Sequence, residues 1–145
     1  MVAREPHKLE VIGSSPISAP NKIISIIYKV VFVMKIWVDD ERPAPDGYKC
    51  FTSTNSALRF IVPNITDIEI IDLDHDMGGN FGGDAIAILN ELERKSHRSV
   101  DFKNAVDKIK FRLHSANPVG VLNMRAIIQK NGWTEIWNDG GKHGF

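Results

Sequence analysis

The stretch that most constrains this chain is Ile68-Glu-Ile-Ile-Asp-Leu-Asp-His-Asp76, followed at once by Met77-Gly-Gly-Asn-Phe-Gly-Gly83. An apolar run of strand length ends in three aspartates and a histidine, and a glycine-rich turn then opens a helix-forming segment. A run that is apolar on both faces at its start is a central strand of a parallel sheet. The carboxyl end of such a strand is where open α/β sheets bind ligands. Carboxylates crowded there hold a cation or share protons, because like charges at short range resist ionising together. A bare turn is the poorer account of Asp74-His75-Asp76, although aspartates do bond their own backbone in turns.

Two further segments deliver polar residues to the same edge: Val38-Asp-Asp-Glu-Arg-Pro43 and Phe111-Arg-Leu-His-Ser-Ala-Asn-Pro118. The chain around them alternates strand and helix. Lys35 to Asp39 is a short strand ending in acids. Arg42-Pro-Ala-Pro-Asp-Gly47 carries two prolines and a glycine, so it forms a loop. Tyr48 to Thr52 is the second strand. A helix opens at Thr54 with apolar face Ala57, Leu58, Ile61 and Val62, and Pro63 marks its end. Gly83 to Arg94 is the strongest helix, with a stripe through Ala85, Ile86, Leu89 and Leu92. Ser96 to Val106 is a charged connection with room for a helical turn from Phe102. Lys108 to Leu113 alternates as a strand with one face less covered. Pro118 suits a first helical position, Asn131-Gly132 ends that helix, and Thr134 to Trp137 is a last strand. Five short strands with three or four helices make a small doubly wound, mostly parallel α/β sheet with helices on both faces.

Residues 1–33 differ from the rest. Met1 to Pro20 shows no helical or strand period and carries Gly-Ser-Ser-Pro and Ser-Ala-Pro breakers, while Asn21 to Val33 is apolar but too short and broken for a membrane span. No secretory cleavage pattern is present. Gly13-Ser-Ser-Pro16 is also what a transfer-RNA T-arm would encode if read as protein. Because Met34 stands directly before the first strand, the expectation is a leader over 1–33, disordered or outside the native product. A real arm that adds a strand or docks a partner is the alternative. The domain is expected over 34–137, with a frayed tail over 138–145. From Met34 onward 14 Lys and Arg face 16 Asp and Glu, so charge gives nucleic-acid binding no support. The single cysteine, Cys50, excludes an internal disulfide, reads as a buried inert thiol, and fits a reducing cytoplasm.

An acidic pair after the first strand, an aspartate after the third and Ser115-Ala116 after the fourth resemble the receiver fold of response regulators, a flavodoxin-like arrangement. In receivers the acidic pair and the third-strand aspartate hold magnesium. The closer resemblance is to the cyclic-phosphate-processing receiver-like domain, cREC. It rests on Trp37-Val-Asp-Asp-Glu-Arg-Pro43, Leu73-Asp-His-Asp-Met-Gly78 and His114-Ser-Ala-Asn-Pro118 and covers Met34 to Trp137. That family is associated with bacterial and phage conflict systems, and the resemblance implies processing of a cyclic nucleotide or related cyclic phosphate. This chain departs from ordinary receivers in two ways. The first interstrand segment is too short for a helix, and no lysine follows the last strand, where Trp137 leads into Asn138-Asp139. Two histidines stand at strand ends instead. Phospho-signalling does not require them, whereas acid–base chemistry near neutral pH does.

Opening a phosphodiester ring with water needs a base, an acid and a seat for the phosphoryl oxygens. His75 and His114 are the expected acid–base pair, with Asp74 and Asp76 beside them, which requires both imidazoles to reach one phosphorus. Asp39, Asp40 and Asp74 are the expected ligands of a magnesium ion, the alternative being that Asp40 and Asp74 orient an imidazole without metal. Ser115, Asn117 and Arg42 are the expected substrate-binding side chains, with the backbone N–H groups of Gly79, Gly82 and Gly83 as a further anion seat. Blander readings stand beside these. Asp72 reads as a structural acid bonded to backbone, His114 as a satisfied core histidine, and Asn117-Pro118 as a helix start. His97, Trp133 and Trp137 read as surface or packing. The expected partner is a small cyclic phosphate, with no membrane or nucleic-acid polymer. The competing function is a receiver-like module that binds a metal, nucleotide or protein without catalysis. A phospho-accepting receiver, labelled at Asp74 or Asp72, is the third possibility.

Overall fold

The computed structural model describes residues 8–11, 28–31, 33–76 and 84–137. Contacts divide the chain into two units, Met1–Val33 and Met34–Phe145. In the first, β1 (Lys8–Val11) pairs antiparallel with β2 (Tyr28–Val31), Lys8 opposite Val31 and Val11 opposite Tyr28. The sequence reading had no strand at Lys8–Val11, because four residues are too few to establish a period.

The second unit holds a five-stranded parallel sheet: β3 (Met34–Val38), β4 (Tyr48–Phe51), β5 (Ile68–Leu73), β6 (Lys110–Leu113) and β7 (Thr134–Glu135), in the spatial order β4-β3-β5-β6-β7. This is the receiver-like order expected of the chain. Ile136 N–H still donates to Phe111 O at 2.8 Å, carrying the β6–β7 pairing one residue further.

Four helices connect the strands: α1 (Thr54–Ile61), α2 (Ile86–Ser96), α3 (Val100–Val106) and α4 (Pro118–Lys130). Three of the four starts carry a side-chain cap. Ser53 Oγ caps α1 by accepting from Ser56 N, Ser99 caps α3, and Asn117 caps α4 with Pro118 in its first turn. The charged 96–106 connection thus holds a capped helix from Val100, longer than the single turn expected, and α2 begins at Ile86 rather than Gly83. Gly132 closes α4 at φ +70°, a conformation that favours glycine.

The connections after β4, β5 and β6 all step the same way across the sheet. Right-handed crossovers that step one way place their helices on one face, so the described helices form a single layer. Into it point Ile36, Val38, Ile71, Leu73, Phe111 and Leu113, packed against Ala57, Ile88, Leu89, Met124 and Ile128. Full burial of each large side chain contributes about 1.5–3 kcal/mol. The expected distribution had helices on both faces. Among the described residues the opposite face carries none, because the step from β3 to β4 is the Asp39–Gly47 loop. Cys50 is exposed, not buried as expected. It points away from the helices on an edge strand, while its neighbour Phe51 packs on Phe60 of α1 with ring centroids 5.2 Å apart.

Candidate functional site

Three backbone hydrogen bonds extend the ladder past the strand ends. Asp39 N donates to Phe51 O, Asp74 N to Val38 O and His114 N to Leu73 O, at 3.0–3.1 Å. The two carboxylates and the imidazole therefore leave from fixed backbone. One ligand atom each of Asp39, Asp74 and His114 lies within 4.8 Å of the others. Asp74 is 7% exposed and its carboxylate has no partner among the described residues.

His114 sits on the helix-free face. Its Nδ1 meets Asp72 Oδ1 at 2.5 Å and its Nε2 meets Asp39 Oδ2 at 2.9 Å. Trp37 lies flat on the ring, centroids 3.9 Å apart and planes 6° from parallel. The indole is itself held, since Nε1 donates to Arg42 O at 3.0 Å. Asp39 Oδ1 accepts from the N–H groups of Glu41 and Arg42 at 2.7 and 2.9 Å. Burial pushes the Asp39 carboxyl up, but those two N–H groups and His114 outweigh it, so the group stays below its ordinary range. Arg42 Nη1 donates to His114 O at 2.5 Å and stands 3.9 Å from Asp39 Oδ2, with the side chain half-exposed. Arg112 Nη1 lies 3.7 Å from Asp72 Oδ2.

His75 forms a second group on the helix side. Nδ1 meets Asp76 Oδ1 at 2.8 Å and Nε2 meets Asp84 Oδ1 at 3.1 Å. Its ring occupies the space a side chain would need at Gly120 of α4, where an added Cβ would come 2.2 Å from His75 Cγ. Asn117 Nδ2 donates to the Asp76 carboxylate at 3.3 Å. The bond from His75 holds the Asp76 carboxyl below its ordinary range, with Asn117 assisting and slight burial opposing. Asp76 and Asp84 also form an isolated antiparallel β-bridge.

The model of the cyclic-phosphate processing receiver domain matches residues 34–130. The chain belongs to that family. No curated protein and no solved structure matches the chain.

In this member of the family, the structure rearranges the expected site. Asp39 and Asp74 come together as expected, and His114 joins them where Asp40 was expected. Asp40 is half-buried and lies outside the cluster. The imidazoles of His75 and His114 do not form a pair, which overturns the expected acid–base mechanism through both rings on one phosphorus. Asp72 alternates with the buried Ile71 and Leu73, so it and His114 lie on the helix-free face, whereas His75 lies against α4. Among the described residues the two imidazoles share no partner. Asp72 bonds the His114 side chain rather than backbone. Ser115 is buried and its Oγ accepts from Asn117 N at 3.1 Å. Asn117 is the helix cap of the blander reading and also a partner of Asp76. Gly79, Gly82 and Gly83 lie outside the described residues.

His97 is exposed. Trp133 packs on Phe111, and Trp137 lies under the Arg125 guanidinium at 4.3 Å. Sequence reasoning missed Trp37, Asp84 and Gly120. A glycine in the first turn of an otherwise apolar helix was the only signal for Gly120, and nothing local pointed to the other two. Among the described residues no helix is long and apolar enough to cross a membrane.

Proposed function

We propose that the domain opens a cyclic phosphodiester by hydrolysis at the carboxyl edge of its sheet. The observation that carries this reading is the convergence of Asp39, Asp74 and His114 within 4.8 Å in a chain of this family. In the reaction water forms a new bond to phosphorus, one ring P–O bond breaks, and the departing oxygen takes a proton. His75 is the group suited to move that proton. Asp76, kept as a carboxylate, orients Nδ1, and the partner of Nε2 is the half-exposed Asp84 side chain, which a substrate can displace. The half-exposed Arg42 guanidinium offers positive charge to a phosphate oxygen.

The carboxylates of Asp39 and Asp74 fit a divalent cation, because Asp74 is buried and has no partner among the described residues at their meeting point. When bound, such an ion would neutralise charge on phosphoryl oxygens. His114, enclosed between two buried acids and a tryptophan, is placed to organise that centre rather than to exchange protons with substrate. The test is a panel of 2′,3′-cyclic and 3′,5′-cyclic nucleotides and an ADP-ribose cyclic phosphate, followed by phosphorus NMR with divalent cation and with chelator. At least one ring opens to a monoester. If none opens under any condition, the phosphoesterase reading fails and the binding module replaces it.

A further inference from the structure

We propose that this edge is a mixed nitrogen–oxygen metal centre, Asp39, Asp74 and His114, selective for a borderline divalent cation such as Co2+ or Zn2+ over Mg2+, with Asp72 fixing the imidazole. The proposal deepens the phosphoesterase reading, on which the ion's part in turnover rests, while binding itself does not depend on it.

Distances support a shared ion. Adjacent ligands about 2.1 Å from one ion stand about 3.0 Å apart, and opposite ones about 4.2 Å. Asp39 Oδ2 and His114 Nε2 are 2.9 Å apart, and all three donors lie within 4.8 Å, so closure takes movements of a few tenths of an ångström. Asp74 is an independent indication. A carboxylate this buried, 7% exposed and without a partner among the described residues, has oxygens still to be satisfied at the point where Asp39 and His114 converge.

The orientation of His114 identifies the nitrogen. Both ring nitrogens meet carboxylates, which only accept hydrogen bonds, Nδ1 with Asp72 at 2.5 Å and Nε2 with Asp39 at 2.9 Å. A cation shared by Nε2 and Asp39 takes the place of the Nε2 hydrogen and leaves Nδ1–H on Asp72. Nε2 is the nitrogen that faces Asp39. A carboxylate behind the imidazole and the other nitrogen in front is the usual setting of a metal-binding histidine. Trp37, flat against the ring at 3.9 Å, restricts its rotation. A nitrogen ligand disfavours Mg2+, which takes oxygen ligands and retains water, and suits the later first-row cations. Three carboxylates, Asp39, Asp40 and Asp74, would favour the opposite choice, but Asp40 is not in the cluster.

The test uses the full chain stripped with chelator and titrated calorimetrically with MnCl2, CoCl2, ZnCl2 and MgCl2, plus pulsed EPR of bound Mn2+. The expected result is one ion per chain, bound at least tenfold more tightly for Co2+ or Zn2+ than for Mg2+, with nitrogen coupling from a directly bound imidazole. Asp72→Asn weakens binding about 10–100-fold, His114→Gln weakens it further and removes the nitrogen coupling, and Asp40→Asn changes neither. If His114→Gln fails to fold by circular dichroism, the wild-type nitrogen coupling decides. Equal or tighter Mg2+ binding, Mn2+ bound without nitrogen coupling, loss of binding in Asp40→Asn, or no binding of any cation overturns the proposal. A bound ion without ring opening overturns the phosphoesterase reading alone. Ring opening by a chain that binds no ion overturns this proposal alone.

Discussion

Two histidines in this domain each lie between two aspartates, and their surroundings separate their roles. His114 is held by Asp39 and Asp72, whose side chains are 0% exposed, whereas His75 is held by Asp76 and Asp84, whose side chains are 64% and 48% exposed. Around His114 water cannot replace a lost partner, so removing the ring strands two buried carboxylates. Around His75 water or a substrate oxygen can take over either bond. The same Asp–His–Asp pattern therefore gives a rigid anchor on the helix-free face and, beside α4, an imidazole whose partners can exchange.

The largest expected effect tests the anchor. His114→Ala destabilises the domain by about 2–5 kcal/mol, because two buried carboxylates each lose a hydrogen-bond partner, whereas His75→Ala costs about 1 kcal/mol or less because its partners are solvated. Urea unfolding of both variants reads the difference, and equal losses would erase the distinction. Turnover should reverse the ranking for His75. His75→Ala lowers kcat about 10²–10⁴-fold with an unchanged circular dichroism spectrum, and full activity in that variant would remove His75 from the chemistry.

A smaller effect comes through Gly120. An alanine there intrudes on the His75 ring, since its Cβ would lie 2.2 Å from Cγ. Gly120→Ala should lower kcat about tenfold or more while stability changes by about 1 kcal/mol, the gain in helix propensity being set against the displaced ring. Histidine NMR shifts of His75 should move in that variant and those of His114 should not.

The smallest effect is a pH dependence at the anchor. Asp39 is held below its ordinary 3.8 in the folded chain. Its contribution to stability is therefore fully present above about pH 4 and is lost as pH falls through the lower folded value. Wild type should lose stability on acidification below pH 4, and Asp39→Asn, less stable at pH 7, should lose less over that interval. Parallel acid profiles would show that Asp39 is not held ionised by its neighbours.

Much of the fold was legible because its signals are local. Apolar runs, caps at Asn117 and Pro118, and the proline-rich Arg42–Gly47 loop each act within a few residues. The helix at Val100 was under-read because Asp101, Lys103 and Asn104 dilute its apolar face, although Ser99 is a sound cap. At the site, Asp39, Asp74 and His114 were legible as a convergence of strand ends. The partnership of His114 with Asp72 was not, nor was the stacking of Trp37, because both depend on which face each side chain takes once the strands align.

By itself the sequence determined the strand order's raw material: which segments are strands, where each ends, and that three polar ends belong on one edge. Hydrophobic alternation and breakers act over short stretches and need no distant partner. Only the tertiary structure decided that His114 meets an aspartate 42 residues away and another 75 residues away, while His75 turns to Gly120. Those choices follow from sheet pleat and right-handed crossovers, which place side chains from remote segments on a common face or on opposite ones.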